Sequence, residues 1–388
     1  MASESSWDLG ERAASALAPE VDLVNSDVAG FGQALIQALQ ASATNPFAMF
    51  EANMRLAADM ALIGPVSLVN WLGGTAEPRI AVDPKDRRFS DEAWKENPAF
   101  YSLRLAYLSA RQYAERVVRA AGLEAPLEAK AQMALDLLLD AMAPTNFLLT
   151  NPAALKKAFD TGGASVVRGA AHFVDDVLNN NGRPRQVDTS PFRLGENLAA
   201  TPAKVVYRNH LMELLQYEPQ TPEVHAEPLL FSPPWINKYY VMDLAPGRSF
   251  VEWAVKHGRT VFAISYRNPS AEMAGVTMDD YLIHGPHQAL DVIEEITGAE
   301  QIDIVGLCLG GALTAISAAY LTASGDTRVG NLTLLNTMLD YAEPGVLGTF
   351  TDMRTVEKLE KKMRREGMLE GKSMAGTFDA LRANDLIF

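Results

Sequence analysis

Apolar positions recur at helical spacing through the first half of the chain, as in Asn53-Met54-Arg55-Leu56-Ala57-Ala58-Asp59-Met60 and from Phe100 to Ala120. Asp91 and Asn97-Pro98 carry the side chains that open helices, and Pro144 to Pro152 reads as a break between two of them. No repeat of fixed period stands out, which argues against a solenoid. After Asn197 the pattern changes. Short β-rich runs at Lys204–Tyr207, Pro228–Phe231, Thr260–Ser265, Ile302–Val305 and Leu332–Leu335 alternate with helical stretches at Arg248–His257, Met278–Thr297 and Ala312–Ala323. Alternation of this kind predicts a parallel sheet wrapped by helices. The expected class is α/β, with a helical domain over residues 1–199 and a sheet domain over 200–388, divided near Asn197 to Thr201.

Composition narrows the function classes. A chain of 388 residues can bury a sizeable core, and its apolar and charged fractions are those of a soluble globular protein. The net charge of −14 leaves no cationic excess to neutralise phosphates, so nucleic acid is not an expected partner. A single cysteine excludes an internal disulfide framework and fits a reducing compartment. The start, Met1 to Asp8, lacks the basic and apolar regions of a signal peptide. Two long uncharged stretches, Val28 to Phe50 and Met60 to Ala76, are interrupted by Gln, Asn or Pro and read as amphipathic and surface-seeking, not as transmembrane spans. The expected location is the cytoplasm. The charge run Val356 to Glu366 reads as a solvated helix face in preference to a phosphate-binding patch.

The sharpest signal is Gly306-Leu307-Cys308-Leu309-Gly310-Gly311. It follows the apolar run Ile302 to Val305 and opens the helical stretch from Ala312. Strand, G-x-C-x-G, then helix is the order of the α/β-hydrolase nucleophile elbow, a lipase-box-like motif with cysteine in the serine position. Small residues flank the nucleophile because the turn is strained and crowds its neighbours. The competing reading of Cys308 is a small buried hydrophobe. The backbone N–H of Leu309 is expected to form half of an oxyanion hole, and the loop after the Pro228–Phe231 strand, near Trp235 and Ile236, the other half.

In this fold the acid and then the histidine follow the nucleophile in the chain. The six histidines here, His172, His210, His225, His257, His284 and His287, all precede Cys308. Five strands are also fewer than the fold requires. The expectation is therefore an incomplete α/β-hydrolase domain whose missing part is carboxy-terminal, the chain stopping at Asn384-Asp385-Leu386-Ile387-Phe388. Asp340 ends a strand in this reading and is the most tempting acid, although a capping or loop role fits it better. His284 and His287, separated by Gly285-Pro286, lack a third ligand for a metal, and no cofactor is suggested. Arg267 and Asn268 lie at a strand end, where they either touch a phosphate or hold the loop.

Several segments together resemble the polyhydroxyalkanoate synthases. They are Pro233-Pro234-Trp235-Ile236-Asn237-Lys238-Tyr239-Tyr240-Val241-Met242-Asp243-Leu244, Ser265-Tyr266-Arg267-Asn268-Pro269 and the cysteine elbow. Val205 to Asn209 with Leu214 to Tyr217, Asn97-Pro98, and Pro144 to Pro152 add to the likeness, which runs from about Asn45 to Phe388. The resemblance implies a helical amino-terminal domain, a Cys-Asp-His triad with Cys308 as nucleophile, and the Asp and His beyond the position of Phe388. It further implies polymerisation of 3-hydroxyacyl-CoA to polyester with release of CoA, in the single-subunit, short-chain branch that uses 3-hydroxybutyryl-CoA. A homodimer working at the polyester granule surface completes the expectation. Two alternatives stand beside it: an inactive remnant whose helices 28–76 bind granules or a partner synthase, and a cysteine-dependent hydrolase.

Overall fold

The computed structural model describes residues 22–180, 182 and 184–388, with the backbone alone for 22–29, 372 and 373. The reading of Met1 to Asp8 falls outside them. Two compact units emerge. The first takes in the described residues up to Val187 with 345–359 and 370–388, and the second holds Asp188–Pro344 and Glu360–Leu369. This division lies ahead of the expected Asn197–Thr201 boundary and groups most of the carboxy-terminal residues with the helices.

The helical unit opens with α1 (Asp22–Ala43), α2 (Pro46–Trp71), α3 (Ala93–Glu96), α4 (Pro98–Ala120), α5 (Ala125–Ala141), α6 (Pro152–Asp160) and α7 (Ala164–Asn179). Three Asn-Pro pairs set three of these starts. Asn45, Asn97 and Asn151 accept hydrogen bonds from first-turn amides, and the proline that follows each needs no amide partner. Pro144 to Pro152 is a helix break, as expected, made of two short 3₁₀ turns. Small residues let α1 approach its neighbours closely: Ala34 and Ala38 pack with Val118, Ala131 and Leu135.

The second unit holds β1 (Ala203–Arg208), β2 (Met212–Tyr217), β3 (Leu229–Ser232), β4 (Asp243–Ala245), β5 (Arg248–Ser249), β6 (Val261–Tyr266), β7 (Ile302–Leu307) and β8 (Val329–Leu335). The main sheet has order β1-β2-β6-β3-β7-β8, and β4 and β5 form a small separate ribbon. Strands β6, β3, β7 and β8 are parallel, as expected. The sheet is not wholly parallel, however, because β1 and β2 form a hairpin and β2 joins β6 antiparallel. Strand β2 is the sixth strand, absent from the sequence reading because Met-Glu-Leu-Leu-Gln has helical rather than β preference. Asn209 turns the hairpin by accepting from the amides of Leu211 and Met212.

Helices cover both faces: α8 (Phe250–Lys256), α9 (Met278–Leu282), α10 (Gln288–Thr297) and α11 (Leu309–Ala323). Alternate strand residues point to opposite sides. Leu230, Ile264 and Ile304 meet Leu290 and Ile293 of α10 on one side. Phe231, Ala263 and Val305 meet Val251 and Val255 of α8 on the other. The single helix expected over Met278–Thr297 is interrupted by a π turn at Ile283–His287, where Gly285 (φ −98°, ψ −107°) leaves helical geometry. Pro286 has no amide to donate there, and a Cβ on Gly285 would sit 3.0 Å from the Tyr266 hydroxyl.

Three helices end the chain, α12 (Met353–Glu366), α13 (Gly371–Leu381) and α14 (Ala383–Leu386). The charge run forms α12, where Arg364 and Glu360 pair at 2.6 Å on an exposed face. Within the helical unit, Phe350 stands edge-on to Phe31 at 5.5 Å, and Lys130 pairs with Asp352 at 2.5 Å. Burial raises the Asp352 pKa, but hydrogen bonds from Lys130 and Thr355 and the Lys130 charge outweigh it and hold the carboxyl at about 2, against 3.8 ordinarily. A carboxylate depressed on folding stabilises the fold fully above its unfolded pKa. Stability should thus fall as pH drops from 3.8 towards about 2, and Asp352→Asn should flatten that part of a urea-midpoint profile. An unchanged profile in the variant would remove the pair from the stability account.

Candidate active site

Cys308 sits between β7 and α11 with φ 53° and ψ −120°, a conformation that L-residues rarely adopt. Its amide donates to the Leu335 carbonyl at 2.9 Å, and its carbonyl accepts from the Ala312 amide at 3.1 Å. Backbone bonds on both sides hold the strain in place. The thiol is exposed, which rules out the buried-hydrophobe reading.

Three glycines make the turn possible. A Cβ on Gly306 would stand 2.4 Å from Thr314 Oγ1 and 2.5 Å from Gly311 Cα. On Gly310 it would stand 2.2 Å from the Ser232 carbonyl oxygen, and on Gly311 2.0 Å from Thr337 Oγ1. The elbow helix therefore starts directly against the backbone that leaves β3 and against the loop that leaves β8. Gly310→Ala forces a methyl group into backbone that cannot step aside, and we expect a loss of about 1–3 kcal/mol. Urea denaturation checks this, and a wild-type midpoint would show that the contact can relax.

Ser232 pairs with Gly306 across the sheet, so the segment Pro233 to Ile236 leaves the sheet edge beside the elbow. Trp235 packs on Tyr281 with ring centroids 5.2 Å apart, and Tyr281 packs in turn on Tyr266 at 5.6 Å. Ile236 is 47 % exposed. Leu309 is the first residue of α11, where amides lie free of intrahelical acceptors. Thus the structure places Leu309 and the Trp235–Ile236 loop along the same carboxyl edge of the sheet as Cys308.

The other candidates are not brought to the thiol by any hydrogen bond. Asp340 does not end a strand: β8 stops at Leu335, and Asp340 instead accepts from the Ala342 amide at 2.9 Å, turning the loop. His284 stands edge-on to His210 at 4.8 Å, and its carbonyl accepts from Asn209. His287 stacks on Tyr320 at 5.4 Å, and burial lowers its pKa. Among the described residues no histidine hydrogen-bonds Cys308, and no cluster of three or more His, Cys, Asp or Glu is arranged to hold a metal ion. Arg267 reaches Glu272 at 3.5 Å, and Asn268 accepts from Lys238 at 2.9 Å. Thr337 was invisible to sequence reasoning, because nothing in periodicity marks a loop residue that packs on a glycine from another element.

Residues 85–254 match the family model described as poly-beta-hydroxybutyrate polymerase (PhaC) N-terminus, and residues 237–387 match the alpha/beta hydrolase fold. The poly(3-hydroxyalkanoate) polymerase subunit PhaC of Rhizobium meliloti (strain 1021) is 37% identical over 98% of this chain and 64% of its own length. Over most of its length this chain is similar to the polyhydroxyalkanoate polymerases. Poly(3-hydroxyalkanoate) polymerase of Methylorubrum extorquens is 38% identical over 89% of this chain and 57% of its own. The corresponding subunit of Cupriavidus necator is 39% identical over 78% of this chain and 52% of its own. The chain thus spans 52–64% of the length of these polymerases. The helical unit and the largely parallel hydrolase-type sheet are the architecture these matches describe.

Proposed function

We propose that this chain carries the nucleophile of an acyltransferase that polymerises (R)-3-hydroxyacyl-CoA, short-chain 3-hydroxybutyryl-CoA in particular, into polyhydroxyalkanoate. The observation that carries the reading is an exposed cysteine in strained elbow geometry, in a chain whose relatives are named polymerases. The Cys308 thiolate attacks the thioester carbonyl, the new S–C bond forms, and the bond to CoA breaks with CoA leaving as its thiol. One thioester replaces another, so little energy separates the two states. The amino-terminal end of α11 favours negative charge at the sulfur. The amide of Leu309 and the backbone near Trp235 and Ile236 receive the oxyanion. The hydroxyl of the next hydroxyacyl unit then attacks the acyl-cysteine, an ester forms and the thiol is returned.

A base must take the thiol proton, since cysteine thiols ionise near ~8.5. In this reading the Asp and His belong to the part of the family fold that lies outside the matched length. The test is to incubate the chain with (R)-3-hydroxybutyryl-CoA in alkaline buffer, where thiolates form without a base. Equal amounts of released CoA and of hydroxybutyryl group on the Cys308 peptide support the proposal. CoA release with no acyl-cysteine sinks it in favour of a hydrolase or non-covalent route.

We also propose that the chain works, as a homodimer, at the polyester granule surface. Phe47, Phe50 and Met54 stand exposed on α2, an arrangement suited to an apolar surface. No described helix is long and apolar enough to cross a membrane. Sedimentation with polyhydroxybutyrate granules should be lost when these three residues become serine, and retention of the variant would reject this surface.

A further inference from the structure

Arg104 on α4 is 6 % exposed, and among the described residues it makes no ion pair; its Nε is buried without a hydrogen-bond partner. Its guanidinium lies over the Phe89 ring at 5.3 Å. A buried N–H of a cation without an oxygen acceptor is costly, and a group of this kind is suited to an anion. Burial indeed lowers the Arg104 pKa, with the Asp86 charge acting in the opposite direction.

The space beside it is a cavity of about 270 Å³ within the helical unit, lined by Val82, Asp86, Arg88, Arg104, Leu108 and Arg111 among others. Carboxylates are present but already engaged. Asp86 accepts from the Arg88 amide, Nε and Nη2. Glu115 takes Arg111 at 3.3 Å and Arg119 at 3.6 Å, and Asp83 accepts from the Lys85 amide. Arg88 and Arg111 also share Asp140. Among the described residues, Arg104 is the arginine lining this cavity that has no carboxylate partner, and its Nε is buried without an acceptor.

We infer that this cavity is an oxyanion site, in which Arg104 binds one carboxylate or phosphate group of a small molecule. The guanidinium offers a planar fork of N–H donors that matches either group, and the Phe89 ring fixes its plane. Nothing in the proposed acyl transfer uses this site, so it stands apart from the chemistry at Cys308.

Calorimetric titration of the 388-residue chain with sodium phosphate, and separately with sodium acetate, tests the inference against sodium chloride at matched ionic strength. We expect saturable one-site binding of at least one of them. The tighter arm tells whether a phosphate or a carboxylate is the natural group. Arg104→Met should weaken it about tenfold or more, the size of one lost charge-assisted hydrogen bond, and Arg104→Lys should fall between. Leu108→Trp, which fills the cavity and leaves the charge, should also abolish binding and serves if the methionine variant does not fold. Absence of saturable heat from both anions at tens of millimolar, or unchanged binding in the folded Arg104→Met and Leu108→Trp variants, would overturn it.

Discussion

On the proposed function, Cys308→Ala is expected to lower acyl transfer from 3-hydroxybutyryl-CoA in alkaline buffer by about 10³-fold or more, because no other group on this chain offers a thiolate at an elbow. The exposed position of the side chain means that its loss leaves packing intact, so the far-UV circular dichroism spectrum should be that of the wild type. Cys308→Ser separates geometry from nucleophilicity. The backbone strain is kept, but an alkoxide forms far less readily than a thiolate, so acylation should be slow and the product an ester in place of a thioester. Measured as acyl group bound per chain, equal labelling of wild type and Cys308→Ala would end the assignment of Cys308 as nucleophile.

Loss of the Asp140 carboxylate should cost more stability than any surface change in the helical unit. Asp140 is 7 % exposed and accepts from Arg88 at 2.9 Å, Arg111 at 2.6 Å and Asn384 at 2.7 Å. Asp140→Ala takes one acceptor from two partly buried guanidiniums, which keep other partners, Asp86 for Arg88 and Asp136 with Glu115 for Arg111, so the loss should be about 1–3 kcal/mol. That is an appreciable part of the ~5–15 kcal/mol that holds an ordinary domain folded. It also releases the one hydrogen bond by which α14 is tied to α5 through a carboxylate. Asp140→Asn keeps the shape and should lose less. Urea denaturation monitored by tryptophan fluorescence decides the matter, and a loss under about 1 kcal/mol would mean that the arginines find water or other partners.

The elbow was fully legible in the sequence, because its glycines answer a steric demand that no other residue meets. So were the Asn-Pro helix starts, whose signal is local. The parallel strands β3, β6 and β7 were legible as apolar runs, since burial on both faces removes alternation. Strand β2 was not, because its Leu, Met and Glu residues take strand geometry only through pairing with β1 and β6. The return of Phe350 and Asn384 to the helical unit was equally hidden: contacts across more than 200 residues, such as Asn384 to Asp140, leave no periodic trace. Near Cys308, sequence put that residue at the turn from strand to helix, where it lies, but put Asp340 at a strand end. Asn336 (φ 48°) turns the chain away directly after Leu335, so Asp340 falls in the loop that follows.

The two rims of the main sheet differ in kind. Rim strand β1 carries Lys204 and Arg208, and charge on an outer strand discourages a stranger from adding to it. Rim strand β8, Val329-Gly330-Asn331-Leu332-Thr333-Leu334-Leu335, carries none and is only half covered. By strand chemistry alone, β8 and not β1 is the rim at which a further strand would add most readily.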